Sequence, residues 1–218
     1  MPNLILEDTA TEVEIAALTI AGWTGRDAAA VQHHIDELAA IGIAPPSTTP
    51  LFYRVSETLL TTAEQVTVLG PDSSGEAEPM VLKHNGETWL GLGSDHTDRK
   101  LEATSVAASK QACAKPCATQ LWRLSDVADH LDRIEIKSWI EEGGTWVTYQ
   151  SGTLSQLLPL QNLIAAHGLG ENAAILCGTF PAIGGVRPAA KFRATMRDPI
   201  RAREISMSYE ARILPVVA

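Results

Sequence analysis

The sequence predicts an α+β, β-rich fold in one domain. Three observations carry that reading. Most apolar runs are short, alternate with polar residues and are bounded by Gly, Pro, Asn or Asp, as strands are. One pair of such runs flanks Asn85-Gly86, a strong hairpin signal. Only two stretches carry a helical period over more than ten residues.

In order along the chain, "TEVEIAALT" alternates apolar and polar residues at first and predicts a strand. "TGRDAAAVQHHIDELAAIGI" predicts a helix, with Thr24 as its cap and Asp27 three residues on. Val31, Ile35 and Leu38 give it an apolar stripe, and Gly42 with Pro45-Pro46 is expected to stop it. "LFYRVS" and "EQVTVLG" follow as strands, then the hairpin "PMVLK-HNGE-TWLGLG". "ATSVAASKQACAKP" reads as a helical turn or ordered loop. "RIEIKSWIEEGGTWVTYQSG" is strand, Gly-Gly turn and strand, and "TLSQLLPLQNLIAAHG" a helix ending at Gly168. "AAILCGTFPAIGGVRP" is a buried strand running into a Gly/Pro loop, and "KFRATMRD" and "EISMSYEARIL" close the fold across "PIRAR". No repeat, linker or low-complexity tract interrupts the chain.

With 218 residues, 45% hydrophobic and 20% charged, the composition is that of an ordinary globular protein with a sizeable core. A net charge of -9 argues against nucleic acid or an anionic membrane as partner. No run is apolar for the length a membrane helix needs, and the start "MPNLILEDTATEVEI" has acids where a signal peptide needs basic residues. A cytoplasmic location is therefore expected. Cys113, Cys117 and Cys177 form no CxxC pair and are expected to be reduced, partly buried thiols.

The hairpin concentrates charge. With Asn85-Gly86 as a two-residue turn, His84 falls opposite Glu87, Leu82 opposite Trp89, Glu78 opposite Gly93 and Glu76 opposite Asp95. Paired residues and residues two apart share a face, so Glu76, Glu78 and Asp95 converge at the open end. Three carboxylates held together need an arginine, a proton or a cation. An all-oxygen set suits Mg²⁺ or Mn²⁺, with Ca²⁺ as a crystal substitute. The register alone also fits a solvated edge with acids for solubility. Elsewhere, His34 and Glu37 share a helix face, a spacing that fits either a carboxylate-oriented imidazole or an ordinary surface pair.

These residues resemble the fumarylacetoacetate hydrolase (FAH) superfamily, which carries Glu-x-Glu on one strand and then Asp-x-Ser/Thr-x-Arg. Here the matches are Glu76-Ala77-Glu78 and Asp95-His96-Thr97-Asp98-Arg99. The resemblance continues in order through His34-Ile35-Asp36-Glu37, "PLFYRVS" with Arg54, Ser109-Lys110, Gln150 and Gly152 of "YQSGTL", and Gly178-Thr179 of "ILCGTFP". It spans about residues 22 to 215. Within that superfamily the chain is similar to a bacterial branch described only as a domain of unknown function, with "GSDHTDR" and "SKQ-C-KP". The Ser-Asp-His element also resembles that of the 2-keto-3-deoxy sugar acid dehydratases.

The resemblance implies the mixed β-sandwich roll of the FAH C-terminal domain. N-terminal strands would occupy 1–21, a lid helix 22–45 and a β-rich catalytic core 50–215. It implies a metal held by Glu76, Glu78 and Asp95, catalysis by His34, Glu37 and Lys110, and substrate contacts from Arg99, Gln150, Thr179 and Arg54. The implied reaction is metal-dependent hydrolysis of a C–C bond beside a carbonyl in a small 2-oxo or diketone-like acid, in small-acid catabolism. A lyase acting on a 2-keto-3-deoxy acid and a non-catalytic metabolite-binding protein are the alternatives. The expected partner is a small carboxylate substrate, and the expected assembly a homodimer.

Overall fold

The computed structural model describes residues 2–40 and 45–217, without the side chains of His34, Glu37 and Leu38. Its strands begin with β1 (Asn3–Leu6), β2 (Thr9–Glu12), β3 (Ala17–Gly22), β4 (Leu51–Val55), β5 (Leu60–Thr61) and β6 (Gln65–Leu69). There follow β7 (Ser73–Ser74), β8 (Ala77–His84), β9 (Glu87–Ser94), β10 (Thr97–Asp98), β11 (Lys115–Pro116) and β12 (Gln120–Arg123). The chain closes with β13 (Glu135–Glu142), β14 (Thr145–Thr153), β15 (Ala173–Leu176), β16 (Lys191–Asp198) and β17 (Arg203–Leu214). The helices are α1 (Ala28–Ala40), α2 (Arg99–Glu102), α3 (Val106–Gln111) and α4 (Leu160–His167).

An eight-stranded sheet runs β2-β1-β12-β9-β8-β15-β3-β4, and a five-stranded sheet runs β14-β13-β16-β17-β6. One face of the larger sheet packs on the smaller one. Val81, Leu90, Leu92 and Ile175 meet Ile136, Ile140, Phe192, Met196 and Tyr209 there. The opposite face holds a second core of Ile20, Met80, Leu82, Leu176 and Leu121, with Tyr53 packed against it. Residues with apolar side chains on both faces therefore occupy the central strands, and β8 and β9 are buried along nearly their whole length. β16, the middle strand of the smaller sheet, alternates buried and open positions instead, because only one face of that sheet is covered. The α+β, β-rich class is as the sequence predicts, with both sheets mixed in direction.

The hairpin has the expected register. Asn85 and Gly86 both take positive φ, 53° and 76°, as a type I′ turn requires. His84 pairs with Glu87, Leu82 with Trp89 and Glu78 with Gly93. The ladder ends at Ala77 and Ser94, and one further bond, from Asp95 N–H to the Glu76 carbonyl at 3.0 Å, carries the register to the acids.

Other elements differ from the sequence reading. "TEVEIAALT" is divided between β2 and β3; Val13 and Ile15 lie between them, buried but outside either ladder. Asp27, not Thr24, caps α1: its Oδ1 accepts from the N–H groups of Ala29 (2.9 Å) and Ala30 (3.1 Å). Thr24 is buried instead, with its carbonyl accepting from Leu158 N–H at 2.7 Å. The expected stop at Gly42 lies outside the described residues. α4 starts only after Pro159, because a 3-10 turn at Leu154–Gln156, closed by a Thr153–Gln156 capping box, comes first. β1 and β12 pair in parallel, a long-range contact that neither segment's short pattern announces.

The cap makes a direct prediction. Asp27→Ala should cost about 1 kcal/mol of stability in denaturant unfolding, and Asp27→Asn should retain most of it. Equal loss in both variants would show that the carboxylate acts through charge and not through the cap.

Candidate metal centre

At the open end of the β8–β9 hairpin, Glu76, Glu78 and Asp95 each direct a carboxylate oxygen to within 4.8 Å of the others'. Asp95 is fully buried, Glu78 is 2% exposed, and Glu76 lies at the rim. Each is held differently. Glu78 Oε2 accepts from Gly178 N–H at 2.8 Å. Glu76 faces the Arg99 guanidinium at 3.4 Å, and Arg99 is anchored by Ser74 Oγ (2.8 Å) and Glu102 (3.0 Å). Asp95 lies between two ammonium groups: Lys110 pairs with Oδ2, and Lys115, 3.1 Å from Oδ1, also donates to the His96 carbonyl.

Burial and charge push the three acids apart in acidity. Burial raises Glu76, with Arg99 and Lys110 acting against it. Burial and the neighbouring Asp95 lift Glu78 well above the usual carboxylate range. Burial also acts to raise Asp95, but Lys110 and Lys115 outweigh it and hold that carboxyl below its ordinary value. Lys110 is raised because, against burial, it feels Asp95, Glu76 and Glu78 together.

Two facts fit a hard divalent cation to this place. The donor set is all oxygen, two Glu and one Asp. Asp95 Oδ1 is buried with no hydrogen bond, since the Lys115 contact has ion-pair distance without hydrogen-bond geometry. That oxygen keeps a lone pair for a ligand.

A second layer fixes the first. His96 is fully buried, with Nδ1 at 2.9 Å from Tyr209 Oη and Nε2 at 2.9 Å from Ser73 Oγ. Burial, with the charges of Lys115 and Arg99, pushes its pKa down to about 3, so it is a neutral brace for the Asp95 loop. Gln150 is also fully buried. Its Oε1 accepts from Ala77 N–H (2.9 Å) and Ser138 Oγ (2.8 Å), while Nε2 donates to Thr179 Oγ1 (2.5 Å) and the Phe180 carbonyl (2.9 Å). Thr179 Oγ1 in turn donates to the Ala77 carbonyl at 2.8 Å. Gln150 thus positions Thr179 and the start of β8; both of its amide protons are already placed.

The structure brings together Glu76, Glu78, Asp95, Arg99 and Lys110, with Thr179 one hydrogen bond from Ala77 between the two Glu. It does not bring Arg54 there. Arg54 pairs with Thr19 on the opposite face of the sheet from Tyr53, where its charge acts on His167 after burial in lowering that ring's pKa. The alternation of a strand explains this: Tyr53, one residue earlier, faces the acids, with its ring centroid 5.6 Å from Lys110 Nζ. α1 carries His34 and Glu37, whose side chains lie outside the described residues. Sequence reasoning missed Lys115 and Tyr53. Lys115 stood in the quoted "SKQ-C-KP" element, but nothing in its spacing says that a lysine after a cysteine turns inward.

The fold is the one found in solved structures named for fumarylacetoacetate hydrolase. A candidate fumarylacetoacetate isomerase/hydrolase from Oleispira antarctica matches 98% of this chain over its own full length, with TM-score 0.67 and 16% identity. A 2-keto-3-deoxy-D-arabinonate dehydratase matches 94% of this chain over 75% of its own, with TM-score 0.66 and 12% identity. A 5-carboxymethyl-2-hydroxymuconate delta-isomerase from Mycobacterium smegmatis matches 93% over 78%, with TM-score 0.63 and 13% identity. No curated protein sequence matches. The chain belongs to the family described as protein of unknown function DUF2848, whose model matches residues 21–209. No described helix is long and apolar enough to cross a membrane.

The charge pattern sets a pH dependence. Glu78, with its raised pKa, favours the folded state when protonated; that share of stability is complete below the ordinary carboxylate pKa and is lost as pH rises through the raised one. A metal must displace the same proton. Calorimetry at mildly acidic pH should therefore show Mg²⁺ or Mn²⁺ binding that strengthens as pH rises, with a heat that depends on buffer because a proton is released. Glu78→Gln should abolish this binding and raise the metal-free melting temperature at neutral pH. Unchanged binding in Glu76→Ala, Glu78→Gln and Asp95→Ala alike would remove the metal site.

Proposed function

We propose that this protein is a divalent-metal-dependent hydrolase of a small 2-oxo or diketone-like acid, cleaving a C–C bond next to a carbonyl. The observation that carries the reading is the convergence of three carboxylates, two of them buried, beside Lys110 and Arg99. Glu76, Glu78 and Asp95 would hold the metal, with Mg²⁺ preferred and Mn²⁺ next. When bound, the ion supplies a Lewis acid for the substrate's carbonyl and carboxylate oxygens. Lys110 and Arg99 present fixed positive charge where an oxyanion or enolate develops. Thr179, whose hydroxyl donates to the Ala77 carbonyl in the absence of substrate, would turn that proton to the substrate carboxylate in this reading.

In this reading α1 is a lid, and His34, oriented by Glu37, takes a proton from water. The water oxygen adds to the carbonyl carbon, and the adjacent C–C bond breaks. Its electron pair leaves as an enolate, which is then protonated at carbon. The likeness to a dehydratase favours one second reading, a lyase on a 2-keto-3-deoxy acid, because the same cations stabilise the same enolate without a hydrolytic water. A cytoplasmic location and a homodimer belong to the proposal as well. The assembly is supported by exposed apolar residues at one end of the five-stranded sheet, where Leu214 pairs with Leu69 and Ile213 lies beside them.

Two experiments test these readings. With saturating Mg²⁺ or Mn²⁺, a 3-acylpyruvate should be cleaved to two acids, whereas turnover of only a 2-keto-3-deoxy acid would favour the lyase, and tight binding without turnover a binding protein. His34→Ala should then lower kcat by about 10²–10⁴ while metal binding persists, and Glu37→Gln should cost less. Near-normal turnover in His34→Ala would dismiss its role as base. Separately, light scattering at micromolar concentration should report a dimer or larger, and a species near 23.3 kDa would refute the assembly.

A further inference from the structure

The open face of the five-stranded sheet, away from the acids, carries one charge that its own pattern leaves uncompensated. β16 sets Lys191, Arg193, Thr195 and Arg197 along that face. The flanking strands answer two of these cations with acids. Glu141 lies 2.6 Å from Lys191 and Glu135 4.0 Å from Arg197, and Glu210 and Glu204 pair with the same two residues from β17. Arg193 stands between Trp139 and Ser208 instead. Among the described residues its guanidinium has no ion pair and no hydrogen bond. It lies over the Trp139 and Trp146 rings, at 5.1 and 4.5 Å from their centroids. A guanidinium held against indoles keeps its charge and presents its donors in its own plane.

A cleft of about 720 Å³ opens at this place, the size of a small-molecule site. Arg193, Trp139 and Trp146 line it, and across the edge of β17 so do Pro116–Thr119. β6 pairs with β17 only at Glu210–Leu214, so the edge at Ser206–Ser208 has no ladder partner among the described residues. An open edge of this kind offers backbone donors and acceptors. Arg193 pairs with Ser208 and Thr195 with Ser206, so one guanidinium and three hydroxyl groups form a square on one face, all lining the cleft. Among the described residues none of the three hydroxyls is hydrogen-bonded. Glu64 and Glu210 line the cleft as well.

We propose that this cleft is a second ligand site, separate from the acid cluster, that takes a small hydroxylated monocarboxylate of the aldonate kind. The ligand's carboxylate accepts from the Arg193 guanidinium, with the Ser208 hydroxyl beside it. Its hydroxyl groups meet Thr195, Ser206 and the open edge of β17, and can donate to Glu64 or Glu210. One unpaired cation balances one negative charge, and the two acids in the cleft oppose a second, which selects against dicarboxylates and phosphates. An unsubstituted fatty acid fits badly, because its chain would take water from the hydroxyls and carboxylates without replacing the hydrogen bonds. The site lies on the far side of the sheet from the Tyr209–His96 bond and does not depend on the metal reading.

The test is calorimetry in excess chelator, so that no metal carries the ligand, with glycerate and gluconate as probes and with glucitol, hexanoate and glucarate as controls. Gluconate should bind at one site per chain, about tenfold or more tighter than each control. Arg193 is exposed, so Arg193→Gln should fold as the wild type does and weaken gluconate by about tenfold or more. Ser208→Ala should weaken it a few-fold, and Lys110→Gln, beside the acid cluster, should leave it unchanged. No binding of glycerate or gluconate, glucitol binding as well as gluconate, or an undiminished affinity in Arg193→Gln would overturn the site. Loss of binding in Lys110→Gln would place the ligand at the acid cluster and overturn it too. If Arg193→Glu instead turns a dimer into a species near 23.3 kDa, the cleft holds a second copy of the chain and the ligand site is wrong.

Discussion

The structure turns on keeping like charges together inside the protein. The Asn85-Gly86 turn sets a register that places Glu76 opposite Asp95 and two residues from Glu78 on one face. Carboxylates so close and so buried do not stay ionised unless something opposes them. Here four acids, counting Glu102, face Arg99, Lys110 and Lys115. Replacing such a buried cluster with apolar side chains of similar volume is often neutral or stabilising. A fold that retains it with Asp95 fully buried is spending stability on position, which points to use.

Position is secured by neutral groups more than by charged ones. Gln150 makes four hydrogen bonds and ties Ala77, Ser138, Thr179 and Phe180 into one unit, joining the hairpin to the other sheet and to the loop after β15. His96, held neutral by burial, does the same for the Asp95 loop through Tyr209 and Ser73. Both lie where the two sheets face each other, so the acids are fixed by the sandwich and not by the hairpin alone. A neutral brace serves here because a further charge would shift the acidities that the cluster depends on.

How much was legible follows from the range of each signal. The hairpin, its register and the acid cluster were readable because a two-residue turn and a period of two determine them locally. The strands β13, β14, β16 and β17 were readable for the same reason. The Asp27 cap was displaced by the Thr24 reading because both residues suit a cap, and only the burial of Thr24 against Gly178 decides between them. Arg54 was misplaced by one residue of alternation: which face of β4 meets the acids depends on its pairing with β3, and no short pattern states that. Lys115 was missed because an inward lysine is recognisable only once its partner's location is known.

The remaining question is which reaction follows. Folds this similar carry the names of a hydrolase, a dehydratase and an isomerase, so the fold by itself does not set the reaction. In the proposed reading the distinction comes from groups that meet the rest of the substrate, such as a base that delivers or withholds water. In this chain the segment after β3 bears on the site directly. Gly22 and Thr24 pack against Tyr53 and Gly178, Gly178 N–H holds Glu78, and α1, the proposed lid, begins four residues after Thr24. A change in that short segment would reach the proposed lid and the Gly178 bond to Glu78 together.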